Sequence, residues 1–217
     1  MTYQPKVYRD QGGNRQVFAP GGTLLMQPGS FIQWANPTGA ADYFVDGNVS
    51  ATGDGTLQSP YSTIAEAIAA SDISIALTAN RWWARRNRIF VMGDGIKENL
   101  TVLPEKCDII GIGSDLHPFP RITGAHTIAV AKVGCRFINM GFTASGTGDL
   151  FVIPAGCHGL EFHGCFFQPS AAGNTKCLEI TNSAIVKVCN CRIVQNPAAY
   201  GTGIFGIGIS IEGTSAT

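Results

Sequence analysis

Phe137-Ile-Asn-Met-Gly-Phe142 is restated as Phe162-His-Gly-Cys-Phe-Phe167 and again as Val188-Cys-Asn-Cys-Arg-Ile193. The copies share an apolar-x-(Asn/Gly)-(Met/Cys)-x-apolar pattern and recur after 25 and then 26 residues. One copy is too short to bury its own apolar face, whereas copies stacked face to face build a continuous core. Apolar residues within each copy fall on alternate positions, the period of a strand rather than a helix. The repeat therefore reads as one coil of a parallel β-solenoid, and the fold class as all-β.

Composition agrees with many short strands joined by tight turns. Of 217 residues, 45% are hydrophobic, only 14% are charged and 27 are Gly, which argues against disorder or a long helical bundle. Fifteen basic and fifteen acidic side chains cancel, so the chain has no global attraction for nucleic acid or anionic membrane. The first residues, Met1-Thr-Tyr-Gln-Pro-Lys-Val-Tyr-Arg9, lack the apolar run of a signal peptide. Nor does any stretch reach the roughly 20 apolar residues that span a bilayer. A soluble protein without a cleaved leader is expected, with no membrane partner.

The seven cysteines lie at 107, 135, 157, 165, 177, 189 and 191. Cys165 and Cys191 share a slot of successive copies with Met140 one copy earlier, which reads as an inward column of soft apolar side chains. Cys189-Asn-Cys191 has no second pair at ligand spacing, so neither a metal site nor any cofactor is expected.

Residues 1–40 form a distinct arm in which Gly turns alternate with brief apolar strands. Such pieces are marginal alone. With Leu24, Leu25, Met26, Phe31 and Trp34 to cover, the arm is expected to lie on another subunit or another protein, the alternative being its own solenoid. Residues 41–88 then hold a strand at Tyr43 to Asp46, a Gly/Asp/Asn-rich loop and a short helix. Thr63 and Glu66 make a capping box, and Ile64, Ala67 and Ile68 share one helix face. An amphipathic helix just before the first coil is the expected lid over open strand edges.

The stretch from Tyr43 through Ala70 includes Val45-Asp-Gly-Asn48, Gly53-Asp-Gly-Thr56 and Ser59-Pro-Tyr-Ser-Thr-Ile64. With Arg88-Ile-Phe-Val-Met-Gly-Asp-Gly-Ile-Lys-Glu-Asn-Leu-Thr-Val102 and Cys107-Asp-Ile-Ile-Gly-Ile-Gly113, it resembles the opening of right-handed parallel β-helices of the pectate-lyase-like superfamily. The resemblance covers residues 43–70 and 88–113 well and the later repeats loosely. It implies a fold more than an activity, because that superfamily holds lyases, hydrolases, esterases and noncatalytic phage tailspike and fibre proteins. Tyr8-Arg-Asp-Gln-Gly-Gly-Asn-Arg-Gln-Val17 is similar to N-terminal segments of tailed-phage virion proteins.

Arg81-Trp-Trp-Ala-Arg-Arg-Asn-Arg88 is the one charge cluster. Arg and Trp are enriched at protein interfaces and stack as cation–π pairs, so Arg81, Trp82, Trp83, Arg85 and Arg86 read as an interface or as intramolecular packing. A simple solvated loop and nucleic-acid binding by phosphate contact and base stacking are the lesser readings, the latter because no broad basic footprint surrounds the cluster. Residues 89–217 amount to roughly five coils, about 25 Å tall at strand spacing. Val102, Val130, Ile153 and Ile180 mark a second expected strand column. The ending, Gly203-Ile-Phe-Gly-Ile-Gly-Ile-Ser-Ile-Glu212, alternates like a strand, so either a partner closes it or the chain is the front part of something longer.

Catalysis on such a fold needs carboxylates gathered in one groove. Asp94, Asp108, Asp115, Asp149 and Glu161 do not fall into matching slots of adjacent coils, and no catalytic residue is assigned. Glu161 and His163 share an outward face, read as solvated surface. Two functions follow from the resemblance. One is a virion component of a tailed bacteriophage (head fibre, decoration or tailspike type), attached through residues 1–40 to capsid or tail proteins, with a homotrimer expected. The other is a polysaccharide lyase or hydrolase acting on host surface polysaccharide.

Overall fold

The computed structural model describes residues 7–9, 16–18, 40–76, 86–113, 120–181, 185–194 and 203–212. The chain divides into two compact units, Met1–Ala35 and Asn36–Thr217. In the first, β1 (Val7–Arg9) pairs antiparallel with β2 (Gln16–Phe18), and the Gly12-Gly13 turn signal lies between them.

Strands are the main regular structure of the second unit, and every described strand pairing in it is parallel. A six-stranded sheet contains β3 (Asp42–Asp46), β4 (Asn87–Met92), β6 (Cys107–Ile112), β9 (Arg136–Ile138), β12 (His158–His163) and β15 (Ile185–Cys189). A five-stranded sheet contains β5 (Ile96–Lys97), β7 (Arg121–Gly124), β10 (Gly141–Ala144), β13 (Phe166–Gln168) and β16 (Arg192–Ile193). The third, four-stranded, holds β8 (His126–Thr127), β11 (Phe151–Ile153), β14 (Asn174–Thr181) and β17 (Phe205–Glu212). From β6 onward the chain visits the three sheets in the same order, and each return adds one strand beside the last.

The register follows the repeated phrase. Phe137 pairs with Phe162 and Phe162 with Val188, while Phe142 pairs with Phe167 and Phe167 with Ile193. The third position of each copy turns the corner between two sheets: Asn139, Gly164 and Asn190 have φ of 54°, 62° and 53°. Asn and Gly are the residues that enter this left-handed region at least cost, which is why the phrase alternates between them.

Inward positions stack into ladders. Phe137 lies parallel over Phe162 at 5.3 Å between ring centroids and Phe142 over Phe167 at 5.4 Å, with Phe151 edge-on to Phe142 at 5.0 Å. These five rings are fully buried, and so are Met140 and Cys165, with Cys191 half-buried against the same core. All seven cysteines are free. The second column is corrected in one place. Ile153 pairs with Ile180, but Val130 bridges Val102 and is 52% exposed, and the register places Ile128, 3% exposed, beside Ile153. Residues two apart share a strand face, so alternation alone could not choose between Ile128 and Val130.

One helix, α1 (Ile64–Ala76), joins this core through Ile64, Ala67 and Ile68. The capping box forms: the Thr63 N–H donates to Glu66 at 3.1 Å and the Glu66 N–H to the Thr63 hydroxyl at 3.3 Å. Glu98, just after β5, adds a second cap by accepting from the Ile64 and Ala65 N–H groups at 2.9 and 2.8 Å.

Candidate functional site

Stacking identical slots about 4.8 Å apart creates an electrostatic problem, because equal charges in one slot would repel along the whole stack. The outer face of the six-stranded sheet solves it by alternation. Asp42, Arg88, Asp108, Arg136, Glu161 and Lys187 are consecutive register partners, one from each strand, and their charges alternate in sign from end to end. Arg88 forks onto Asp42 at 2.8 and 2.7 Å, and Arg136 onto Asp108 at 2.7 and 2.5 Å. Asp108 is only 7% exposed, and Arg86 approaches it from the side at 3.1 Å. Glu161 accepts from His163 at 2.5 Å, which with Lys187 and Arg136 nearby holds its carboxyl below the usual range.

Two residues along each strand runs a second outward row: Phe44, Phe90, Ile110, Ile138, His163 and Cys189. All six are half-buried. Phe44 stacks on Phe90 at 5.3 Å, and the Arg88 guanidinium lies 5.4 Å above the Phe90 ring. The face is thus an apolar stripe running beside an ion row.

A second polar cluster sits on the four-stranded sheet. Lys176 donates to Glu179 at 2.9 Å and also to Glu212. Burial and the neighbouring Glu179 carboxylate push the Asp149 carboxyl up, while the hydrogen bond from Asp149 and the Lys176 ammonium pull Glu179 down. Asp149 and Glu179 are therefore neighbouring carboxyl groups shifted in opposite directions, with the charge of Glu179 offset by one lysine and the Asp149 Oδ1 buried without a hydrogen-bond partner.

Of the residues expected at an interface, Leu24, Leu25, Met26, Phe31, Trp34, Arg81, Trp82, Trp83 and Arg85 lie outside the described residues, as does Asp115. Arg86 is described, and it is engaged within the chain: besides Asp108 it donates to the Gly134 carbonyl at 2.6 Å. Asp94 faces Arg121 at 3.8 Å. Asp108 and Glu161 share one row, but two strands apart with Arg136 between them, so they do not occupy matching slots of adjacent coils. The row leaves a trace in the sequence: Arg136, Glu161 and Lys187 each stand one residue before the first apolar position of a copy, and Asp108 stands one residue before Ile109, the register partner of Phe137. Comparison of carboxylates with one another does not reveal the row, because it alternates in sign.

Among the described residues, no group of three or more His, Cys, Asp or Glu side chains is placed to hold a metal ion. Nor, among them, is any helix long and apolar enough to cross a membrane. An apolar cleft of about 290 Å³ lies between α1 and residues 99–102, lined by Ala65, Ile68, Ala69, Leu100 and Val102. Comparison of the chain with protein-family models, with curated proteins and with solved structures returns no match in any of the three.

Proposed function

We propose that the three parallel sheets are the faces of a right-handed parallel β-helix, and that the chain is a structural virion component of a tailed bacteriophage, in which residues 1–40 attach to capsid or tail proteins. The observation that carries this reading is the register: one strand per sheet in each circuit, with the repeated phrase stacked slot on slot. Supporting it are the helix packed against the core next to the first strands and the resemblance of residues 43–70 and 88–113 to β-helix proteins that include phage fibres and tailspikes. A side-chain inventory devoted to ladders and ion pairs suits a rigid spacer better than an open active site.

The test is deletion of residues 1–40. The expected truncated protein keeps the far-UV spectrum and melting behaviour of the β-helix and no longer enters particles assembled in its presence. Normal incorporation would remove the attachment role.

A second reading, a polysaccharide hydrolase or lyase, is favoured by one observation only, the Asp149–Glu179 pair with Glu212 beside it. A raised and a lowered carboxyl side by side are what glycosidic cleavage uses. Reducing-end release from a polysaccharide panel, abolished by Asp149→Asn, would establish it. No release by the unmodified protein would dismiss it.

A further inference from the structure

The ion row on the six-stranded sheet has an even number of members of alternating sign, so reading it backwards inverts every charge. The geometry points to this face as a self-association surface whose occupant is a second copy of the same chain, stacked in the opposite direction about a two-fold axis along the strands. Such an axis reverses the order of strands while leaving each row opposite its own counterpart. Asp42 then faces Lys187 of the second copy, Arg88 faces Glu161 and Asp108 faces Arg136, so all six cross-contacts are attractive. In the neighbouring row, Ile110 meets Ile138, Phe90 meets His163 and Phe44 meets Cys189.

Charge decides between this arrangement and its rivals. Copies standing side by side in the same direction, whether two or three around an axis, would place each row member opposite its own kind at equal height: Asp42 on Asp42, Arg88 on Arg88. Like charges directly opposite are unfavourable, and the interface that forms is the one whose potentials complement. The three-fold association that the resemblance implies would have to use other faces. Asp108 is already held by Arg86 and Arg136, and Asp42 and Arg88 fork onto each other, so the choice falls to Glu161 and Lys187 at the other end of the row. The apolar stripe supplies the area to be removed from water. Six strands averaging about five residues make a face roughly 24 Å by 17 Å. Two such faces bury on the order of 800 Å² together, below the roughly 1,000 Å² of a stable contact, so association is weak, transient and dependent on concentration.

The inference rests on strand register alone and stands or falls apart from the virion reading. Its test is sedimentation equilibrium of the full chain across a concentration series, on the unmodified protein and on two variants, Asp42→Lys and Lys187→Glu. The unmodified protein is expected to dimerise, less at high salt. Each variant alone places two like-charged pairs in the dimer and weakens association by about tenfold or more. Mixed one to one, the two variants recover the dimer, because Lys at 42 of one copy meets Glu at 187 of the other. Asp42→Asn and Lys187→Gln, which disturb the strands less, each weaken association, and mixing them restores one of the two Asp42–Lys187 contacts and so recovers the dimer in part. They provide the same test if a reversed charge prevents folding, which circular dichroism reads independently. A monomer at all concentrations, a trimer, or a dimer indifferent to these substitutions would overturn the proposal.

Discussion

His126 sits at the start of β8 with its ring fully buried between Phe142 and Phe151, at 5.7 and 4.6 Å. Its Nδ1 accepts from the Leu100 N–H at 3.1 Å, which leaves the proton on Nε2, and Nε2 is buried without a partner. Burial pushes its pKa down from 6.5 to about 4, because a charged imidazolium in this core has nothing to compensate it. The folded value lies below the unfolded one, so the group contributes stability above pH 6.5 that is lost as pH falls from 6.5 to about 4. The loss amounts to about 3 kcal/mol at most. Urea midpoints measured across that range should fall steeply for the natural sequence and more shallowly for His126→Leu, whatever the variant's stability at neutral pH. An unchanged slope would assign the acid sensitivity to carboxylates instead. Gly164 offers a cleaner case: its φ is 62° and a Cβ there would meet nothing within 4 Å, so substitution tests backbone conformation alone. Gly164→Ala is expected to cost about 1 kcal/mol, and Gly164→Asn less, since Asn already fills this slot at 139 and 190. Equal losses in urea denaturation would show that conformation does not set the preference.

The element whose placement depends on most distant residues is α1. Its N-terminus is held by Thr63 and Glu66 locally and by Glu98 from 34 residues away. Near its other end, Asn87 of β4 donates to the Ser71 carbonyl at 3.2 Å, the Ser71 hydroxyl at 3.0 Å and the Ser74 hydroxyl at 2.9 Å, and accepts from the Ala41 N–H at 2.9 Å. Asn87 is fully buried, so truncation strands several polar groups away from water. Asn87→Ala should destabilise by about 2 to 3 kcal/mol in chemical denaturation, and Glu98→Ala by about 1 kcal/mol, the loss of one cap. Amide exchange should rise across residues 64–76 in both variants. If it rises only with the Glu98 change, the amide network is not what anchors the helix. The capping box was legible in sequence because its partners are three residues apart. Asn87 and Glu98 were not, because hydrogen bonds across 16 and 34 positions leave no periodic trace.

For the whole molecule, parallel stacking turns every slot into a column, and the ion row shows what that demands of charges. Arg136→Glu would set three carboxylates in successive strands and strip the forked partner from Asp108, which is 7% exposed. A loss of about 3 kcal/mol or more is expected, since a buried charge loses its forked partner and keeps Arg86, with Arg88 on the neighbouring strand forked onto Asp42 instead. Arg136→Met should cost much less, because it adds no like charge and keeps the aliphatic cover. Denaturant midpoints of the two variants decide the point: equal losses would mean that packing by the arginine stem, rather than alternation of charge, holds this row.

By itself the sequence determined the all-β class, the parallel register of the repeated phrase, the inward column of Met140, Cys165 and Cys191, and the capping box of α1. These are local or strictly periodic features, and periodicity survives in one dimension. Tertiary structure alone decided that Ile128 rather than Val130 lies beside Ile153, that Asn87 and Glu98 hold the helix, and that Asp149 meets Glu179. It also decided that six charges from six strands form one alternating row. Circuits of unequal length, 20 residues from Arg88 to Asp108 and 28 from Asp108 to Arg136, hide such columns until the backbone has closed each loop.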